Sequence, residues 1–356
     1  MNTIAECVEG LEEITQLEIK ETLKISSEKI LAGRVKFKVK NLKVLKNFMH
    51  NTRSSVKVYE LIEKLEFSDI KNLEEKIKSI KFPKIKPPFV VRCERSGEHD
   101  FNSIDIEKLA GEVIISKNKN LKVDLKNPKT TIILDIIKNI CFVGIDHTKI
   151  RLTKRDYRIR LIPNPINPCI AYSMLRISDI KEKDAILDPF CRSGEIPIEA
   201  AMFFLKILPN KKSLEIQNTY RQKNKKLKVY CTDSSLNNIK SAEINSKIAG
   251  IYKNINFGRM DIEWLDTKFK KNSVDKIITF PPYPTLNFPL KNLEKIYKEL
   301  FYQAEYILKK TGSITILTPI PEDIQKYAES HNFKADKEIK TIHMKNPFYI
   351  IKFIHK

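Results

Sequence analysis

The 356-residue sequence predicts an α/β protein whose C-terminal half is a mostly parallel, nucleoside-binding sheet closed by an antiparallel hairpin. Two patterns predict it. Short apolar strands alternate with amphipathic helices, and acidic residues follow three successive strands at Asp188, Asp233 and Asp261. The tail alternates from Ile339 to Met344, breaks at Lys345-Asn346-Pro347 and resumes over Phe348–Ile354. With 42% hydrophobic residues, each domain can bury a real core, which excludes wholesale disorder.

In residues 1–65, Leu17–Ile25 and Val35–Val39 read as strands, while Val44–His50 and Ser55–Leu65 read as amphipathic helices. Residues 66–152 form a second α/β unit. There Leu73–Ile80 and Ile104–Ile115 are helical, Pro88–Arg92 and Leu121–Leu125 are strands, and Thr131–Ile137 with Ile140–Ile145 makes a hairpin. The glycine-containing turn after Pro88–Arg92 would bring Arg95 and His99 together, a pairing suited to phosphate contacts. A solvated charged loop is the plainer alternative.

Residues 153–169 read as a basic, proline-rich linker. Lys149, Arg151, Lys154, Arg155, Arg158 and Arg160 surround Tyr157, and Pro163, Pro165 and Pro168 stiffen the junction to the next helix. The chain carries 65 Lys+Arg against 44 Asp+Glu, a net charge of +21 that favours a polyanionic partner. An extended arm here could lay Lys154, Arg155 and Arg158 along an RNA backbone, or simply be solvated.

In residues 170–356, Ile170–Leu175 begins a helix and Ala185–Leu187 is a strand leading into Asp188-Pro189-Phe190-Cys191-Arg192-Ser193-Gly194-Glu195. Ile196–Leu205 is the next helix, and a lysine-rich loop covers Pro209–Lys226. Strands then fall at Leu227–Cys231, Ile255–Phe257, Asp275–Phe280 and Ser313–Leu317, with helices at Leu236–Ile248 and Leu293–Leu308.

Other classes are set aside. The opening MNTIAECVEGLEE carries charge where a secretory leader would be apolar, and no apolar run approaches a membrane span. Six scattered cysteines and six dispersed histidines give neither a disulfide framework nor a structural-metal signature. A monomer in a reducing cytoplasm is the simple expectation.

An acid after each strand suits a nucleoside bound across the strand ends, with Asp233 on ribose hydroxyls and Asp261 toward an adenine edge. The loop is neither GxGxxG nor a Walker sequence, so a dinucleotide or nucleoside triphosphate fits poorly. The small turn and closing hairpin point to S-adenosylmethionine. Phe280-Pro281-Pro282-Tyr283 completes the site: two prolines fix the Pro281 carbonyl, and Tyr283 can stack on a flipped-out base.

With these residues in place, the chain resembles the THUMP-domain RNA methyltransferases, particularly the archaeal and bacterial tRNA guanine-N2 enzymes. The resemblance spans nearly the whole chain. It rests on ERSGEHDFNSIDIEKLAG, Arg155-Asp-Tyr157-Arg158 and ILDPFCRSGEIPIEAA, besides the PPY turn. It implies a ferredoxin-like N-terminal domain, a THUMP domain gripping the tRNA acceptor end, and a seven-stranded Rossmann-fold methyltransferase. It also implies cofactor contacts from Asp188, Phe190, Cys191, Ser193, Gly194, Asp233 and Asp261, and catalysis at Phe280, Pro281, Pro282 and Tyr283.

The chain departs from the family pattern in two places. DPFCGSGT becomes Asp188-Pro-Phe-Cys-Arg192-Ser-Gly-Glu195, and Asn/Asp-PPY-Gly becomes Phe280-Pro-Pro-Tyr283-Pro284. Only 9 glycines occur in the chain, where ordinary usage would give roughly 25. Arg192 either folds outward or occupies part of the cofactor pocket, and Phe280 cannot accept a hydrogen bond from an amine. Three readings remain open: an active tRNA guanine-N2 methyltransferase, a tRNA-binding homologue with reduced or lost catalysis, and an RNA methyltransferase with a shifted target atom.

Overall fold

The computed structural model describes residues 1–148, 150–211, 225–286 and 289–356. Lys149 and most of the Pro209–Lys226 loop, 212–224, lie outside the described residues. The N-terminal half runs β1 (Asn2–Cys7), α1 (Glu12–Leu23), β2 (Ser27–Leu31), β3 (Arg34–Lys38), α2 (Leu42–Asn51) and β4 (Ser55–Glu66). It continues through α3 (Ile70–Ser79), β5 (Phe89–Ser96), α4 (Ser103–Lys117), β6 (Thr130–Ile137) and β7 (Ile140–Asp146). Their order in one seven-stranded sheet is β2-β3-β1-β4-β7-β6-β5.

β4 pairs antiparallel with β1 on one side and β7 on the other, so the expected boundary between residues 65 and 66 falls at the end of a shared strand. A buried staple reinforces the shared sheet. Asp135 on β6 accepts from Arg34 Nη2 of β3 at 2.6 Å and from the Tyr59 hydroxyl of β4 at 2.8 Å.

Three expected elements differ. Ser55–Leu65 is a strand rather than a helix: its Val58, Leu61 and Leu65 satisfy a helical template, but residues 55–59 are buried in succession on a strand that pairs with β1 and then β7. Leu17–Ile25 mostly lies in α1, where Ile14, Thr15, Glu18 and Ile19 bury at helical spacing; the helix ends at Lys24, whose φ is 59°. Leu121–Leu125 makes only a single bridge, Phe89 to Val123. Asp124 then turns the chain by accepting from the Lys126 and Asn127 amides.

The C-terminal half runs α5 (Pro168–Ile177), β8 (Ala185–Asp188), α6 (Glu195–Phe204), β9 (Lys228–Asp233), α7 (Leu236–Ile248), β10 (Ile255–Arg259) and α8 (Leu265–Lys268). It ends with β11 (Val274–Thr279), α9 (Glu294–Ile307), β12 (Leu308–Thr318), α10 (Pro321–Glu329), β13 (Phe333–His343) and β14 (Asn346–His355). The second sheet has the order β10-β9-β8-β11-β12-β14-β13, parallel as far as β12 and antiparallel beyond it.

Strand alternation divides its core in two. Ile186, Val229 and Ile278 pack with α5, α6 and α7, while Leu187, Ile277, Ile314 and Ile316 pack with α9 and α10. Val8, Leu11, Ile14 and Val56 join the first of these clusters, so the N-terminal half is seated on the C-terminal half through apolar burial. No helix among the described residues is long and apolar enough to cross a membrane.

Candidate active site

β10, β9, β8 and β11 are neighbours, so their carboxyl ends bring Asp261, Asp233, Asp188 and Phe280 to one edge of the sheet. Thr318 of β12 faces Tyr349 of β14, which puts the β13–β14 turn at the same edge. His343 and Phe348 therefore overhang the site from the hairpin.

Asp188 is buried, and its Oδ1 accepts from Thr279 Oγ1 at 2.7 Å and from the Phe190 amide at 3.2 Å. Burial pushes its carboxyl up to about 7. Asp233 organises two loops: Oδ1 accepts from the Ser235 amide and Asn238 Nδ2, and Oδ2 accepts from the Arg192 amide at 3.0 Å. A carboxylate has about four acceptor positions, so Asp233 retains capacity for a ribose hydroxyl. Asp261 is exposed at the start of the turn after β10.

Phe190 is half-buried against the α9 side of the core, at the rim between Asp188 and the loop. These carboxylate acceptors fit a nucleoside cofactor on its sugar side.

The other loop residues have structural duties. Cys191 is buried against Cys231, and burial raises its thiol well above the ordinary range, away from nucleophilic use. Ser193 is buried and directs its hydroxyl to the Glu195 carboxylate at 2.9 Å. Gly194 has φ 87°, and a Cβ there would lie 2.8 Å from Ala242 Cβ, so glycine lets α6 approach α7.

Arg192 folds inward. Its φ is 52°, Nη2 donates to the Pro163 carbonyl at 2.6 Å, and its guanidinium carbon stands 5.3 Å from the Phe280 ring centre. Burial lowers its pKa, and Nε is buried without a partner.

Phe280 is 1% exposed and stacks on Tyr283 with ring centres 5.3 Å apart and 18° between planes. His343 and Phe348 meet its edges at 5.5 and 6.0 Å. Pro281 is buried, and the Tyr297 hydroxyl donates to the Pro282 carbonyl at 2.6 Å, fixing the turn. One face of Tyr283 is thus covered by Phe280. Nothing in the sequence pattern assigns His343 and Phe348 a role; their one signal is their position flanking the break at Lys345-Asn346-Pro347.

The expected RNA contacts separate. Arg155 is not on the surface: its side chain is fully buried, with Nε 2.8 Å from Glu199 Oε1 and Nη2 donating to the Arg53 carbonyl. The linker charge there is neutralised inside the protein, because an unpaired guanidinium could not be buried at such depth. Arg158 is half-buried, donating to the Thr153 and Ile166 carbonyls and standing 3.5 Å from Glu195. Arg95 and His99 do meet, at 3.2 Å. His99 Nε2 donates to the Lys138 carbonyl, so Nδ1 accepts from Arg95 and both ring nitrogens are engaged. Lys154 is exposed.

A family model described as RMKL-like, methyltransferase domain, matches residues 155–346, more than half of the chain. The chain belongs to the RMKL-like methyltransferase-domain family. A THUMP-domain model matches residues 67–146, the segment from the end of β4 to β7. A tRNA (guanine(6)-N2)-methyltransferase of Methanocaldococcus jannaschii is 29% identical over 94% of each chain. One of that name from Archaeoglobus fulgidus is 28% identical over 87% of this chain and 81% of its own.

Two crystal structures share the fold of this RMKL-like family member over its full length. SMU.472, complexed with SAH, superposes with a TM-score of 0.82 at 20% identity and 98% coverage of that chain. TrmN from Thermus thermophilus gives 0.76 at 22% identity and 99% coverage.

Proposed function

We propose that this chain is an S-adenosylmethionine-dependent tRNA methyltransferase acting on the exocyclic N2 of a guanosine in or near the acceptor stem. One conjunction carries the reading: the carboxyl-edge acids and the Pro-Pro-Tyr turn lie in the same chain as a THUMP match, and tRNA guanine-N2 methyltransferases align with that chain almost end to end. S-adenosylmethionine, when bound, supplies an electrophilic methyl group.

The chain's own residues do the rest. Asp233 accepts from ribose hydroxyls, Asp261 meets the adenine edge, and Asp188 holds the loop onto β11 through Thr279. The open face of Tyr283 stacks on the target base, and the Pro281 carbonyl accepts from its amine. The THUMP region and exposed cations such as Arg95 and Lys154 grip the tRNA. Six buried thiols, none in a disulfide, suit a reducing cytoplasm.

Titration calorimetry with S-adenosylmethionine, transfer of labelled methyl to unmodified tRNA and nucleoside mapping test this reading. Binding and N2-methylguanosine are expected. No binding at millimolar cofactor would overturn catalysis and favour the second reading, a tRNA-binding protein with reduced activity. That reading draws on Arg192, which lies across Phe280 where the family has an open glycine.

A further inference from the structure

Within the methyltransferase reading above, on which this inference rests, the Pro281 carbonyl gives the target amine one acceptor, but the Pro-Pro-Tyr turn supplies neither a second acceptor nor a group that takes up the proton. Methylating an exocyclic amine releases a proton, and the amine must be held by acceptors as positive charge develops on nitrogen. Phe280 offers no acceptor. Arg192 only donates, and Asp188 Oδ1 is committed to Thr279 and Phe190.

We propose that His343, reaching over Phe280 from the β13–β14 hairpin, is the acceptor for the target amine and its departing proton. His343 is 4% exposed, and its Nε2 is buried without a hydrogen-bond partner. A buried polar atom left unpaired is costly, and such an atom beside a reaction site calls for a ligand. The imidazole is gripped edge-on by Phe280 at 5.5 Å and Phe348 at 5.2 Å, both with planes near 82°. It therefore stands beside the very ring that replaces the family's Asn or Asp.

Its surroundings keep it an acceptor. Arg192 from the β8–α6 loop and Arg158 from the linker lie close enough to oppose a second positive charge, with Glu195 and Tyr283 behind them. Burial first, then these two guanidiniums, hold the imidazole down at about 4, so it is neutral at physiological pH. As the amine nitrogen bonds to the methyl carbon, the sulfur–carbon bond breaks with its electron pair staying on sulfur. The amine N–H proton passes to Nε2 and then to water.

The test compares the wild type with His343→Phe, which keeps the aromatic contacts but cannot accept, and His343→Gln, which restores an acceptor that cannot titrate. His343→Phe is expected to lower kcat about 10²-fold while leaving S-adenosylhomocysteine affinity and the tRNA KM within a factor of three. His343→Gln should recover only the part of that loss owed to the hydrogen bond, because an amide cannot take up the departing proton. A His343→Phe variant that binds S-adenosylhomocysteine normally and keeps kcat within threefold overturns the proposal.

A second readout needs no turnover. In wild-type protein with S-adenosylhomocysteine, unmodified tRNA should shift the His343 Nε2 resonance in ¹⁵N NMR as it accepts a hydrogen bond. An unmoved resonance in the tRNA-bound protein overturns the role. A shifted resonance in a protein that transfers no methyl would sink the enzymatic reading while supporting His343 as the amine's acceptor.

Discussion

Arg155 and Glu199 meet at 2.8 Å with both side chains wholly removed from solvent, and the pair joins the linker to α6, the helix that follows β8. Glu199 also faces Arg53 Nη1 at 3.3 Å and accepts from the Tyr157 hydroxyl at 3.0 Å. Arg53 in turn donates to the Met202 and Ile207 carbonyls. One carboxylate thus compensates two guanidiniums arriving from the N-terminal half and the linker.

Removing that carboxylate strands both cations. Glu199→Ala is expected to destabilise the protein by about 3–5 kcal/mol, the range for breaking a buried pair. Urea unfolding would measure it; a loss below about 1 kcal/mol would mean that water reaches the site and the pair is not the anchor its burial implies.

The second sheet is legible in the sequence because its signals are local. Strands β8 to β11 are short, and Asp188 and Asp233 sit at strand ends where chemistry and turn formation need the same residue. Ser55–Leu65 reads as a helix in sequence because Val58, Leu61 and Leu65 fall at helical spacing, and only pairing with β1 and β7 makes it a strand. Arg155 carries no mark of burial in sequence, since its partner lies 44 residues away. His343 meets Phe280 only through the return of the terminal hairpin, a long-range contact that no spacing rule encodes.

Asp188 makes stability depend on pH. Its folded-state value of about 7 lies above the ordinary aspartate value, so the unfolded chain ionises first as pH rises. The stabilising contribution is present in acid and is lost between roughly pH 4 and 7, by about 1.4 kcal/mol for each pH unit crossed. Asp188→Asn keeps the acceptor for Thr279 and Phe190, both of which use a single oxygen. Urea unfolding across this range should therefore give a flatter stability profile for the variant; parallel profiles would show that Asp188 is ionised throughout.

Arg192→Gly separates strain from occlusion. Glycine relieves a left-handed backbone by roughly 1–2 kcal/mol, while losing the hydrogen bond to Pro163 costs about 0.5–1.5 kcal/mol. Net stability should therefore change by no more than about 1.5 kcal/mol. S-adenosylhomocysteine should bind more tightly by calorimetry, because the guanidinium over Phe280 is gone. Unchanged affinity would mean that Arg192 swings clear at no cost, and would remove the main support for reduced catalysis.

Burial also decides which cations the salt dependence of tRNA binding reports. Each phosphate contact contributes about 0.7–0.9 to the slope of log K against log salt. Arg95 and Lys154 are exposed, so the Arg95→Ala, Lys154→Ala double variant should lower that slope by about one to two. Arg158→Gln should leave it unchanged, because Arg158 turns its Nη donors to the Thr153 and Ile166 carbonyls and stands 3.5 Å from the Glu195 carboxylate. Filter binding from low to moderate salt distinguishes the two. A slope that falls with Arg158→Gln and not with the double variant would move the RNA path away from Arg95 and Lys154 and onto Arg158.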